Sequence, residues 1–126
     1  MDRAERAVAL KHGGCNCCQA VLLACADQTG LDEETLKQLG AGFGVGMGNM
    51  SATCGALCAS QMLLGLKQYE GRPLLRDARA LAEAFERQAG AVTCADLKGR
   101  DTGRPLTDCD DCVRLAVRLA EEQAGV

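Results

Sequence analysis

The sequence predicts an all-α fold: a single compact domain of five to six short helices with a Gly-rich loop. Three observations predict it. Apolar residues recur at three- and four-residue spacing in several separate segments, no run alternates in strand fashion, and Gly or Pro marks most of the segment boundaries. The chain has 126 residues, enough for one domain that buries about two-thirds of its unfolded surface, and it contains no repeat or low-complexity linker. Residues 1–126 therefore form one Cys-rich helical domain.

Asp2–Lys11 is an amphipathic helix with Ala4, Ala7, Val8 and Lys11 on one stripe, stopped by Gly13 and Gly14. Asn16–Gln28 places Val21, Ala24 and Cys25 on one face and closes at Gly30. Asp32–Leu39 has an acidic cap and Glu33 and Glu34 in its first turn, where the helix dipole favours negative charge. Gly40–Gly48 has glycine at every second position, and no helix is expected there, since each costs up to about 1 kcal/mol relative to Ala. Thr53–Lys67 resumes as an apolar helix through Leu57, Met62, Leu63 and Leu66. Pro73 is expected at the first position of a helix that runs to Gln88, with Leu74, Ala78, Leu81, Ala82 and Phe85 inward and Gly90 as its stop. A short turn follows Thr93, Gly99–Thr107 is loop, and Asp108–Gln123 closes the chain with Val113, Ala116, Val117 and Ala120 inward.

Composition excludes several functions. Three aromatic residues give little for base stacking, and 14 basic against 17 acidic residues give no cationic field, so nucleic acid is not an expected partner. No apolar run reaches the roughly 18 residues of a membrane span. The N-terminus lacks the pattern of a secretory signal, which predicts a cytoplasmic protein with reduced thiols. Nine cysteines in such a setting point to metal or redox chemistry ahead of structural disulfides.

Four of the nine stand apart. Cys17 follows Asn16, Cys54 follows Thr53, Cys94 follows Thr93 and Cys109 follows Asp108, and Asn, Thr and Asp are helix-capping residues. Capped in this way, each thiol lies at a helix start, where the unpaired N–H groups and the dipole favour the metal-binding thiolate. Cys25 and Cys58, in helix interiors, read as buried core thiols. Cys15 and Cys18 flank Cys17, and Cys112, one turn after Cys109, is an alternative ligand. Cys109-Asp-Asp-Cys112 has redox-disulfide spacing but lacks a thioredoxin-like context. The glycines satisfy neither a dinucleotide nor a phosphate-loop pattern, which leaves close backbone approach at Gly44, Gly46, Gly48 and Gly55, to a partner helix or to a bound group. His12 reads as a cation at a helix C-terminus, and Asp108, Asp110 and Asp111 as residues of a helix start.

Asn16-Cys-Cys-Gln-Ala-Val-Leu22, Gly42-Phe-Gly-Val-Gly-Met-Gly48, Cys54-Gly-Ala-Leu-Cys-Ala59, Cys94-Ala-Asp-Leu-Lys-Gly99 and Cys109-Asp-Asp-Cys-Val113 together carry a family resemblance. The chain resembles the C_GCAxxG_C_C family of redox-active proteins, which has four spaced cysteines and a C-G-A-x-x-G run and is related to the non-haem iron–sulfur domain of split-Soret cytochromes. The resemblance places the family's four cysteines on Cys17, Cys54, Cys94 and Cys109. It implies an iron–sulfur cluster, most plausibly [2Fe–2S], a redox partner protein, and the homodimer that the relatives suggest. Ala59 replaces the family's last glycine, which would widen a close helix contact. The expected function is electron transfer or redox sensing. Two alternatives stand beside it: a metal-free thiol–disulfide oxidoreductase or sensor that uses Cys109 with Cys112 or Cys54 with Cys58, and a zinc-stabilised interaction module. No acid–base or nucleophile–base constellation marks an enzyme with its own substrate.

Overall fold

The computed structural model describes residues 1–100 and 103–126. Among the described residues there is no strand, and the helices run in the predicted order. They are α1 (Arg3–His12), α2 (Cys17–Ala24), α3 (Glu33–Gly40), α4 (Gly44–Met47), α5 (Gly55–Gln68), α6 (Leu75–Ala89), α7 (Cys94–Leu97) and α8 (Cys109–Leu119). A 3₁₀ turn at Ala26–Gln28 follows α2, and a π turn at Ala120–Ala124 extends α8. Asp101 and Thr102, in the predicted Gly99–Thr107 loop, lie outside the described residues.

Asn16, Asp32 and Asp108 cap as read, and Asp2, read as the first helical residue, proves to be a cap as well. Asp2, Asn16, Asp32 and Asp108 each accept from a backbone N–H in the first turn of the helix that follows. Asn16 goes further: Gln19 returns a bond to the Asn16 N–H to complete a capping box, and the Asn16 amide donates to the Gly40 carbonyl at 2.9 Å. The residue that fixes the start of α2 thus also ties α2 to the end of α3.

Helix α2 is the hub, packed against α1, α3, α5 and α8. Its length from Cys18 to Cys25, Gln19 excepted, is buried, which suits a mean composition of Ala, Val and Leu. Phe85, Leu81, Leu63, Val113 and Val117 are fully buried in the same core. The Ser60 hydroxyl, also fully buried, donates to the Ala116 carbonyl at 2.6 Å and links α5 to α8.

Three expectations need correction. Pro73 does not open α6: Leu74 (φ −99°, ψ 51°) first turns against the core, and the helix begins at Leu75. Leu66 is 48% exposed and Leu64 is buried, because α5 is apolar on so many sides that its spacing marks no single face. The glycine-rich stretch also contains one turn of helix, but a left-handed one: Val45 (φ 55°), Gly46 (φ 58°) and Met47 (φ 60°) close around a bond from the Gly48 N–H to the Gly44 carbonyl. Glycine spacing rules out the right-handed form and permits this one. No described helix is long and apolar enough to cross a membrane.

Candidate metal or redox centre

The left-handed turn is fastened to the starts of two other helices. The Met50 and Ala52 N–H groups donate back to the carbonyls of Val45 and Gly46. Ala52 and Met50 in turn accept from Cys94 and Ala95, and Cys54 donates to Val92. Thr53 and Thr93 pair as an isolated antiparallel bridge. The start of α5 and the start of α7 are thereby laid side by side, one residue past each threonine. Thr93 also caps α7 through its hydroxyl, whereas Thr53 makes no such bond. Cys54 itself occupies the N-cap position of α5 without a side-chain cap bond, and the nearby N–H groups of Ala56 and Leu57 favour its ionised form.

This arrangement delivers Cys17, Cys54, Cys94 and Cys109, from α2, α5, α7 and α8, to one cavity of about 250 Å³. Cys15 and Cys112 also line it, as do Lys11 and Lys98. Gly46 and Gly55 form part of its wall. A Cβ on Gly46 would lie 2.7 Å from the Cys94 Cβ, and one on Gly55 would lie 2.6 Å from the Phe43 carbonyl oxygen. Gly44 packs instead on Asn16, the cap of Cys17, and Gly48 meets nothing within 4 Å. Cys25 and Cys18 are buried core thiols, held protonated by burial up to about 11 and about 12. Cys58 faces a separate groove with Phe43 and Leu57, its thiol 3.9 Å from the Thr53 carbonyl.

The cavity thiols differ in how readily they ionise, and the neighbours that matter are not close in sequence. The Cys17 thiol, with Lys98 and Lys11 nearby, holds Cys109 down to about 6. The Cys112 thiol and the backbone N–H groups of Ala56 and Leu57 hold Cys54 down to about 7. Cys17 and Cys112 are pushed up by those same neighbours and by burial, and Cys94 is pushed up by burial. The Cys112 thiol itself donates to the Thr107 carbonyl at 3.9 Å. A helix start alone therefore does not make each of the four a thiolate. Cys112 is the lining residue that sequence reasoning ranked only as an alternative; its signal was the three-residue step from Cys109.

The surrounding charges are occupied elsewhere. Asp110 binds Lys11 at 3.0 Å and His12 at 2.8 Å, and Asp111 binds Arg114 at 2.8 Å. His12 lies outside the cavity wall, as befits a cation at the end of α1. Among the described residues, no three His, Cys, Asp or Glu side chains are gathered closely enough to cage a single metal ion.

The described residues thus form a cysteine-rich helical domain whose thiols converge from four helices on one cavity. The matching family model is that of the putative redox-active protein family C_GCAxxG_C_C, over residues 15–123, and the chain belongs to that family. No curated protein and no solved structure matches it.

Proposed function

We propose that the chain holds an iron–sulfur cluster, [2Fe–2S], on Cys17, Cys54, Cys94 and Cys109, and works in electron transfer or redox sensing. The observation that carries this reading is the convergence of those four thiols, from four helices, on one cavity. The donor set fits in its chemistry: soft sulfur ligands, two of them lowered toward ionisation near neutral pH, with Lys98 on the cavity wall beside the Asp110-paired Lys11. When bound, the cluster supplies a one-electron couple.

The chain's own residues do the rest. Asn16 fixes the start of α2 and so the direction of Cys17. The paired threonines hold Cys54 beside Cys94. Gly46 and Gly55 put backbone on the cavity wall where a side chain would fill the space. Burial of Cys54 and Cys94, each 7% exposed, keeps water from two of the four sulfurs.

Anaerobic reconstitution with iron and sulfide tests the reading. The expected result is a brown protein with equal iron and acid-labile sulfide, and a melting temperature that falls when a chelator strips the metal. Serine at any of the four positions should abolish the colour, while C25S should keep it. Colourless protein that takes up stoichiometric zinc, or no metal at all, refutes the cluster.

A further inference from the structure

The cluster reading leaves the groove beside Cys58 without a role. Cys54 lines the four-thiol cavity, whereas Cys58, four residues later, opens on a separate groove of about 380 Å³ that shares no lining residue with that cavity. Met62 follows Cys58 at helical i,i+4 spacing on α5 and lines the same groove, and Met47 lines it from the left-handed turn. Two of the chain's four methionines are thus collected beside one partly exposed thiol.

We infer that Cys58, Met47 and Met62 form a binding site for a soft monovalent cation, Cu(I). One thiolate and two thioethers are the donor types that select Cu(I) over harder divalent ions. Met47 is 50% exposed, so it does not serve as core filling, and its φ of 60° is a conformation that such a side chain adopts only under constraint. Each methionine side chain has three rotatable bonds, so its sulfur can close on an ion while the backbone stays in place. Gln61, between Cys58 and Met62, lines the groove as well. Its Nε2 donates to the Ala78 carbonyl at 2.8 Å, while its Oε1 is closed to solvent and has no hydrogen-bond partner among the described residues. Copper sites use an amide oxygen of this kind as a weak further ligand.

Binding involves no electron transfer. The Cys58 thiol gives up its weak 3.9 Å bond to the Thr53 carbonyl and releases its proton to water as the sulfur–copper bond forms. The two thioethers bind without losing a proton. Apolar walls, Phe43 and Val92 among them, limit water at the bound ion. The site draws on none of the four proposed cluster ligands, so it stands whether or not the cavity holds a cluster.

The test follows the methionines themselves, because the cavity thiols also take up Cu(I) and would mask a bulk count. Metal-free, full-length protein with isotope-labelled methionine methyl groups is titrated anaerobically with Cu(I) under ascorbate until no NMR signal moves further. M47L and M62L, which nearly conserve side-chain volume, assign two of the four methyl signals. The Met47 and Met62 signals should shift together and those of Met1 and Met50 should stay. C58S should abolish both shifts, and Zn²⁺ should produce neither. Copper uptake that leaves Met47 and Met62 unmoved, shifts all four methionines alike, or survives C58S unchanged overturns the inference, as does an equal response to Zn²⁺. Failure of the cavity to take up iron and sulfide refutes the cluster alone and leaves this readout intact.

Discussion

Replacing Gly46 by alanine tests the geometry that brings Cys94 to the cavity. Gly46 is buried in a left-handed conformation (φ 58°, ψ 51°), and an added Cβ would stand 2.7 Å from the Cys94 Cβ and 3.0 Å from the Ala52 carbonyl oxygen. Two costs follow. The left-handed conformation costs an alanine about 1–2 kcal/mol. Forcing one extra carbon against a packed neighbour costs about 1–3 kcal/mol more. Unfolding entropy near 2.1 cal/mol/K per residue converts each kcal/mol into roughly 4 °C for a chain of this length. G46A should therefore melt about 8–20 °C below the parent protein.

G48A is the control. Gly48 is also left-handed (φ 90°), but its Cβ would meet nothing within 4 Å, so only the conformational cost applies, about 4–8 °C. Circular-dichroism melts at 222 nm on reduced protein measure both variants. The same displacement of Cys94 should lower cluster yield on reconstitution in G46A and leave it unchanged in G48A. If G46A melts within 2 °C of the parent, or falls no further than G48A, then Gly46 does not press on Cys94 and the left-handed turn is misplaced.

Other outcomes follow from the same contacts. N16A removes the capping box and the bond to the Gly40 carbonyl and should cost about 2–3 kcal/mol by denaturant unfolding, with N16S recovering roughly half through the cap alone. F85A, which truncates a fully buried ring, should cost about 3–5 kcal/mol in the same assay. Thiolate absorbance at 240 nm in metal-free protein should rise in a first step near pH 6–7, from Cys109 and Cys54, well before Cys17, Cys94 and Cys112 ionise. C17A should move the Cys109 part of that step towards the ordinary thiol range. The sign for stability follows. Cys54 and Cys109 ionise more readily folded than unfolded, so their contribution is lost as pH falls through about 7 and about 6. Cys17 and Cys112 hold their protons more tightly folded, so theirs is lost as pH rises past the ordinary thiol range. The contribution of the two pairs thus peaks near the ordinary thiol pKa, and unfolding midpoints across pH 5–10 measure it.

Local chemistry explains which parts of the fold were legible in the sequence. Asn16, Asp32, Thr93 and Asp108 cap as read because a short polar side chain before an apolar-periodic run has few better uses. Thr53 does not cap because α5 begins at Gly55, which puts Cys54 at the N-cap position, and its pairing with Thr93 across 40 positions is one that no local window can reveal. The glycine stretch was legible as unable to form an ordinary helix. Its left-handed turn was not, since Val45 at φ 55° is a conformation that a β-branched residue adopts only under tertiary constraint. That constraint is visible in the bonds from Met50 and Ala52 and in the wall shared with Cys94. Four candidate ligands were found from the residues that precede them, and the structure brings all four to one cavity.

What decides the charge on those four sulfurs is a separate matter from what places them. All four lie at helix starts, yet two are held toward the thiolate and two toward the thiol. The helix dipole contributes about 0.3–1 kcal/mol to a charge at its end, less than a single pKa unit of about 1.36 kcal/mol. A neighbouring thiol outweighs it: beside Cys17 the Cys109 thiol is lowered, and beside Cys112 the Cys54 thiol is lowered, while Cys17 and Cys112 are raised. Cys94 follows its burial. Helix starts aim the sulfurs inward from four directions, and the neighbours of each sulfur, more than its helix end, set how readily it ionises.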